Sequence, residues 1–327
     1  MGKDKADSTV GAIGIDVGGS KTLFALFDAA FQPIDEIKVK TEPEPDKFSE
    51  VFSEAVQSLL KKAEKRGLTI PAIGIGFAGM VDPKKGVIQR APNIPALEGL
   101  SLKKVIAKVT DAEVCVYNDV DAALVGEHEF GAAVGFNHVI GIFIGTGIGG
   151  ALLINGKLYT GASGLAGDIG NYLLQPLGPL AGSARQGVLD DVASRTAIAG
   201  EAAALAAKNW APHLLEAVGT DVRKIKSSAL AEAIKAGDEH VEELVRSRAQ
   251  IVGIVLSNIV DFLNPELVVL GGGLTEAMPE LIRKEVERGI ETHASPGAYK
   301  DLKVVTAKLG NHAVTTGAAK VALDLVA

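Results

Sequence analysis

The sequence predicts an α/β protein built from two domains, with a ligand-binding cleft between them. Its length of 327 residues exceeds that of one average domain, which is about 150 residues. A strand, a glycine-rich turn and a second strand begin at Ala12, and a similar unit begins again at Val139. Repetition of such a unit predicts a duplicated domain, and ligands often bind between two domains of this kind.

The first repeat is predicted to open with three strands, of which the first two form a hairpin across a glycine turn. An apolar face at helical spacing follows, and then come two buried strands and a second helix. The predicted strands are residues 12–17, 21–27, 34–39, 73–77 and 114–117, and the predicted helices are residues 48–64 and 121–130.

The second repeat is predicted to contain more helix than the first. Its strands are residues 139–144, 151–154, 157–159 and 267–270, with a turn at Asn155 and Gly156. Its helices are residues 188–208, 227–236 and about 238–263. A closing helix at residues 310–326 is expected to pack back on the first domain.

The composition excludes several classes of partner. The formal net charge is -7 and no basic stripe occurs, which argues against nucleic acid and against an anionic membrane surface. Cys115 is the only cysteine, and its apolar neighbours predict a buried structural thiol.

Residues 1–9 lack the apolar core of a secretion signal, and no apolar stretch reaches the roughly 20 residues of a membrane span. A cytoplasmic protein is therefore expected.

The turn after the first strand has the character of a phosphate-binding loop. Without bulky side chains, its backbone N–H groups are free to close on phosphate oxygens. Asp16, at the end of the strand, is placed to hold Mg²⁺ through water. On these residues alone, a plain glycine hairpin with an aspartate at its corner is an equal alternative. The candidate phosphate-binding residues are Asp16, Gly18, Gly19, Ser20, Lys21 and Thr22.

Two further glycine clusters follow later strands. The turn at residues 145–150 suits a cradle for the β- and γ-phosphates, with a tight hairpin that needs positive φ as the alternative. Gly271, Gly272 and Gly273 end another strand, where they are expected to let an adenine or ribose ring lie against the backbone. The candidate residues of the first of these clusters are Gly145, Thr146, Gly147 and Gly149.

Asn118 and Asp119 end a buried strand ahead of a predicted helix. Ligands bind at strand ends in α/β sheets, so Asp119 is placed to accept a proton from a hydroxyl group. The alternative is that the pair caps the following helix. On the residues alone, the two interpretations carry equal weight.

In their order and spacing, these segments resemble the ROK family of sugar kinases and repressors, within the actin/hexokinase-like superfamily. The resemblance runs from Ile13 to Ala319, and residues 14–21, 118–127 and 264–274 carry it. It implies two actin/ribonuclease H-like domains with ATP and sugar in the cleft between them. Residues 1–125 with 312–327 would form the domain of the sugar side and first phosphate loop. Residues 126–311 would form the domain of the second phosphate loop and the adenosine segment.

The resemblance also implies roles for individual residues. Asn118 would bind the sugar and Asp119 would be the general base, with ATP and Mg²⁺ as cofactors. Gly79, in a segment where the family usually has Gly-x-Pro-Gly, and Asn93, which follows a proline, would also lie on the sugar side.

One segment departs from the family pattern. The family carries Glu-x-Gly-His, a cluster of three cysteines and then Leu-Glu, which together bind a structural zinc ion and the sugar. The four zinc-ligand positions are here occupied by Asn171, Ala181, Ser183 and Val188, so no zinc is expected. The sugar-binding positions are Asp168, Asn171 and Asp190, and both carboxylates are one methylene shorter than the family's glutamates.

The resemblance implies an ATP-dependent kinase that phosphorylates a hexose, with glucose at its 6-hydroxyl as the leading choice. N-acetylmannosamine, N-acetylglucosamine and other hexoses are alternative acceptors, and polyphosphate is an alternative donor. A non-catalytic sugar-binding relative is a second hypothesis. A sugar-responsive repressor is disfavoured, because few residues precede the first phosphate loop and the net charge is negative. The family commonly forms homodimers or homotetramers.

Overall fold

The computed structural model describes residues 9–176 and 186–326. They fall into two compact units. The first unit contains the described residues up to Val134, the segment Leu158–Ala166 and the residues from Asn311 onward. The second contains Gly135–Lys157 and the described part of Gly167–Gly310.

The first unit is built around a five-stranded sheet. Up to residue 134 its elements are β1 (Ala12–Val17), β2 (Lys21–Phe27), β3 (Pro33–Lys40), α1 (Pro45–Lys65), β4 (Ala72–Phe77), β5 (Met80–Asp82), β6 (Val87–Arg90), α2 (Leu102–Ile106), β7 (Glu113–Asn118) and α3 (Asp119–Phe130). The strand order is β3-β2-β1-β4-β7, and β5 and β6 form a separate hairpin. The first three strands are antiparallel, whereas β4 and β7 run parallel to β1.

The second unit repeats this sheet. Its elements are β8 (Val139–Ile144), β9 (Ile148–Ile154), β10 (Lys157–Leu158), α4 (Leu189–Ala193), α5 (Arg195–Ala207), α6 (Pro212–Val218), α7 (Ser227–Ala236), α8 (Glu239–Leu263), β11 (Leu267–Gly271), α9 (Gly273–Ala277), α10 (Pro279–His293), α11 (Pro296–Tyr299) and β12 (Lys303–Thr306). The strand order β10-β9-β8-β11-β12 matches that of the first sheet, position by position. The predicted duplication is therefore confirmed at the level of topology.

The final helix, α12 (Ala313–Asp324), packs on the sheet of the first unit, as predicted. The backbone of α12 lies so close to β1 and α3 that no side chain fits at the points of contact. A Cβ atom on Gly14 would lie 1.8 Å from the carbonyl oxygen of Thr315, and one on Gly317 would lie 1.8 Å from that of Ala122. These glycines therefore hold β1, α3 and α12 together by having no side chain.

Two sequence predictions about elements need correction. The helix predicted at residues 188–208 is two helices, α4 and α5. Ser194 separates them with an extended backbone, and its Oγ caps α5 by accepting the N–H of Ala197. The predicted domain boundary after residue 125 falls within α3, which continues to Phe130 in the first unit.

Across the described part of the chain, no helix is both long and apolar enough to cross a membrane.

Candidate active site

The first glycine loop joins β1 to β2 and is closed by a hydrogen bond from Gly18 N to the carbonyl oxygen of Lys21, at 3.1 Å. Gly19 leaves room for Asn93, because a Cβ atom on Gly19 would lie 2.6 Å from the Asn93 Cβ atom. The structure therefore places Asn93 against this loop. Ser20 and Lys21 are exposed at its tip.

Thr22, predicted to bind phosphate, is buried and its hydroxyl group is engaged within the protein. Its Oγ1 lies 2.9 Å from Oγ1 of Thr41, which in turn donates to the carbonyl oxygen of Gly18 at 2.7 Å. A hydroxyl has one proton, so the Thr22 hydroxyl is the donor to Thr41. Thr41 also donates its backbone N–H to Ser20 O. Thr41 was not predicted from the sequence, since it belongs to no motif and follows β3.

Replacing Thr41 with valine should raise the KM for ATP roughly tenfold, because the change leaves the Gly18 carbonyl and the buried Thr22 hydroxyl without their partner. Thr41→Ser keeps the hydroxyl and is the matched control, with a KM close to that of the unmodified protein. Steady-state kinetics with varied ATP measure both variants. An equal loss in Thr41→Ser would show that the methyl group, and not the hydrogen bonds, supports the loop.

Two carboxylates of the first unit interact beside this loop. Asp16 lies at the end of β1, and Asp119 is the first residue of α3. Burial and then the charge of Asp119 raise the pKa of Asp16 to about 7, against the opposing charge of Lys21. Burial raises the pKa of Asp119 to about 6, although the N–H of Val120 and other donors oppose the shift. Strong perturbation of two interacting carboxylates is typical of a catalytic site.

Asn118 caps α3, as one of the two sequence interpretations proposed. Its Oδ1 accepts the N–H groups of Val120 at 2.9 Å and Asp121 at 3.4 Å. Its Nδ2 donates to the carbonyl oxygen of Gly79 at 3.1 Å, which brings these two predicted sugar-side residues into contact. Capping by Asn118 and a base role for Asp119 are therefore compatible, because the cap is formed by the asparagine.

Asp121 was quoted in the sequence motif but had no predicted role. Its side chain is buried, and burial together with the charge of Asp119 raises its pKa to about 7. The first unit thus holds three carboxylates in one electrostatically coupled group, counting Asp16.

The second glycine loop joins β8 to β9. None of Gly145, Gly147, Gly149 and Gly150, all of which the structure describes, has a positive φ. The alternative of a hairpin that requires positive φ therefore does not apply here. The backbone N–H of Gly145 donates to Gly147 O at 2.8 Å, and the side chain of Thr146 is exposed.

Asp190 supports this second loop, a contact that was not predicted for it. Its Oδ1 accepts the N–H of Ile148 at 2.5 Å. A Cβ atom on Gly147 would lie 3.1 Å from Asp190 Oδ2, so the loop glycine makes room for the carboxylate. Burial and then the charges of Asp168 and Asp191 raise the pKa of Asp190 to about 6, against the Ile148 N–H.

The other two residues predicted to bind sugar in this unit contact each other. The side-chain amide of Asn171 donates to Asp168 Oδ2 at 2.7 Å. Val188, one of the four positions where the family has zinc ligands, is fully buried at the start of α4. Ala181 and Ser183 lie outside the described residues. The expected absence of zinc stays a prediction.

The third glycine cluster is explained in part by packing. A Cβ atom on Gly271 would lie 2.5 Å from the Phe143 ring. Gly272 has a φ of 83°, and a Cβ atom on it would lie 2.6 Å from the carbonyl oxygen of Ile144. A strand-to-helix turn here therefore requires both of these glycines. Gly273 is different, since the nearest atom to its would-be Cβ is Ser227 Oγ at 3.7 Å. The adenosine role of the cluster stays a prediction.

The fold and these residues together define a class of protein. In each unit a glycine loop joins two antiparallel strands, β1 and β2 in the first and β8 and β9 in the second, and the two sheets have the same strand order. The first unit adds Asp119, which directly follows β7 and has a raised pKa. This is the two-domain actin/hexokinase-like fold, and the two glycine loops and Asp119 are its candidate active-site residues.

Comparison with known proteins narrows the class. The family model of the ROK family matches residues 12–325. The chain is 28% identical to a glucokinase of Thermotoga maritima over 94% of this chain and 96% of the relative. It is 30% identical to a glucokinase of Streptomyces coelicolor over 95% of this chain and 97% of the relative. A crystal structure of a ROK family glucokinase from Streptomyces griseus in complex with glucose and AMPPNP superposes with a TM-score of 0.81 and 31% identity, over 96% of this chain and 99% of that one.

The chain belongs to the ROK family. It is a sugar kinase, that is, a phosphotransferase with an alcohol group as acceptor.

Proposed function

We propose that the protein transfers the γ-phosphoryl group of ATP to the 6-hydroxyl of a hexose, with glucose as the preferred acceptor. The observation that carries the proposal is Asp119, a half-buried carboxylate at the start of α3 whose pKa is raised to about 6. A group with this pKa is ionised at neutral pH and is a stronger base than an ordinary carboxylate. The glucokinases of Thermotoga maritima and Streptomyces coelicolor support the choice of glucose.

In this mechanism Asp119 accepts the proton of the attacking sugar hydroxyl as the oxygen bonds to phosphorus. Asn118 Nδ2 donates to Gly79 O, and the Asn118 side chain also hydrogen-bonds to the Asp119 carboxylate, so Asn118 would hold the base in place beside the sugar that it contacts. Asp190 is bonded to the loop through Oδ1 and would contact the sugar through Oδ2. Asn93, Asp168 and Asn171 are the remaining proposed sugar contacts.

The two glycine loops would bind the phosphates through backbone N–H groups. Asp16 would hold Mg²⁺ through water, because a carboxylate suits a hard cation. Without the cation, the carboxylates of Asp16 and Asp119 repel each other. When bound, Mg²⁺ neutralises negative charge on the phosphates. The three glycines from Gly271 would lie beside the adenosine.

A panel of acceptors tests the proposal, with ADP release measured in the presence of ATP and Mg²⁺. The panel contains glucose, mannose, fructose, N-acetylglucosamine, N-acetylmannosamine and a polyol, and inorganic polyphosphate is tested as a second donor. We expect the highest kcat/KM with glucose and ATP. Preference for an N-acetylated hexose would assign the shortened carboxylates Asp168 and Asp190 to a different sugar. Absence of turnover with every acceptor would overturn the proposal in favour of a sugar-binding protein.

The rate should depend on the ionisation of Asp119. Only the carboxylate accepts a proton, so kcat/KM for the sugar should fall about tenfold for each pH unit below about 6 and stay level above it. A pH profile at saturating ATP, between about pH 4.5 and 8, measures this limb. A limb centred near the ordinary aspartate value of 3.8 would show that burial does not tune this group.

Two further expectations accompany the proposal. We propose that the protein forms a homodimer or homotetramer and that it folds without a structural zinc ion. The cytoplasm remains the expected location.

A further inference from the structure

The first turn of α5 is attached to the second glycine loop by three hydrogen bonds. The backbone N–H of Arg195 donates to Gly145 O at 3.0 Å, and the Thr196 hydroxyl donates to Thr146 O at 2.7 Å. The Arg195 side chain reaches the same loop, because its Nη2 donates to Thr146 Oγ1 at 3.1 Å. Arg195 therefore lies at the loop with both its backbone and its guanidinium group.

The guanidinium group of Arg195 has no anionic partner among the residues that the structure describes. Within the described ranges its side chain bonds only to neutral oxygens, Thr146 Oγ1 and, at 3.4 Å, the carbonyl of Ile225. Burial lowers its pKa, with no carboxylate opposing the shift. An arginine still remains charged at neutral pH, because its ordinary pKa is far above 7. A half-buried, uncompensated cation at this position would gain from an anionic ligand.

The donor groups at this point suit phosphate oxygens. A guanidinium carries five N–H donors in a planar fork, and two of the five are used by the bonds described above. The Thr146 hydroxyl accepts from Arg195, so its own proton is left to donate to another acceptor. The exposed Thr146 side chain, the free guanidinium donors and the backbone of the loop thus present donors and positive charge together.

We infer that Arg195 binds the β- and γ-phosphates of ATP at the second glycine loop. The inference rests on the proposed role of residues 145–150 in phosphate binding, and it adds a cation to a loop that otherwise offers neutral donors. Arg195 contributes to affinity for the phosphate chain and not for the sugar or the adenosine. The sequence contained no signal for this, since Arg195 lies some 50 residues from the loop it contacts.

The test measures binding of AMP, ADP and ATP, each with Mg²⁺, to the full chain by competition against a fluorescent adenine nucleotide. In Arg195→Ala, we expect ATP to bind roughly 10- to 100-fold more weakly, ADP to lose less and AMP to be unchanged, as for loss of a charge-assisted hydrogen bond. Arg195→Lys keeps the charge and should lie in between. Arg248→Ala is the matched control, because Arg248 also bonds to a residue of α5, Glu201, and should leave all three affinities unchanged.

Two outcomes would overturn the inference, and a third would refute the proposed function on which it rests. Equal losses for AMP and ATP would make Arg195 a structural anchor of the loop, and an unchanged ATP affinity would show that it makes no phosphate contact. In the latter case, a Gly147→Ala variant that weakens ATP binding would leave the proposed role of the loop intact. Failure of the unmodified protein to bind ATP would instead refute the proposed function itself.

Discussion

Asp119→Asn should lower kcat by roughly 10²- to 10⁴-fold, the range expected for loss of a general base. The amide has nearly the shape of the carboxylate but does not accept the hydroxyl proton. Nucleotide affinity should be nearly unchanged, because the glycine loops are untouched. A coupled assay for ADP measures turnover, and calorimetric titration with ATP measures binding.

Asp121→Asn is the matched control for this result. Asp121 lies on the same turn of α3, is more deeply buried and also has a raised pKa, of about 7. Its loss should change kcat by no more than a few-fold if Asp119 alone acts as the base. Retained turnover in Asp119→Asn, or the larger loss in Asp121→Asn, would contradict the assignment.

Asp16→Asn should lower kcat by roughly 10- to 100-fold and raise the Mg²⁺ concentration needed for half-maximal activity, because a neutral amide binds hydrated Mg²⁺ less well than a carboxylate. Activity measured against total Mg²⁺ at fixed ATP shows the shift. Kinetics with an unaltered Mg²⁺ dependence would exclude Asp16 from the metal site.

The same variant should make the ligand-free protein more stable at pH 8. The pKa of Asp16 is raised on folding from 3.8 to about 7, so the folded state holds the proton more tightly than the unfolded state. Wild-type stability therefore falls as the pH rises from 3.8 to about 7, and the amide removes this loss. The gain in Tm should shrink as the pH is lowered toward 4. Asp35→Asn is the opposite control, because Lys62 and Arg66 lower the pKa of Asp35 and its loss should not raise Tm.

Sequence patterns predicted most of the sheet. The buried runs that became β1, β4, β8 and β11 are apolar enough to be recognised without tertiary information, as is usual for strands covered on both faces. The short strands β5, β6 and β12 were not predicted. They have three or four residues each, too few for a periodic pattern to stand out.

Prediction of the site was uneven for a physical reason. Glycine loops and an aspartate at a strand end are local features, since their chemistry lies in consecutive residues. Hydrogen bonds such as those of Thr41 to Gly18 or Asp190 to Ile148 join residues separated by 23 and 42 positions, and no local pattern marks them. A local pattern can also suggest too much. Gly271 and Gly272 look like part of a ligand site in the sequence, but packing against Phe143 and Ile144 accounts for part of the need for glycine there.

The duplicated α/β architecture, the two glycine loops and the position of Asp119 could be predicted from sequence alone, because periodicity, turn chemistry and strand ends depend on neighbouring residues. Which side chains support those loops, and how they ionise, depends on the tertiary structure. Burial and long-range contacts raise the pKa values of Asp16, Asp119 and Asp190 and bring Arg195 to the second loop. Desolvation and Coulomb interactions depend on distance in space, and a one-dimensional pattern does not contain that distance.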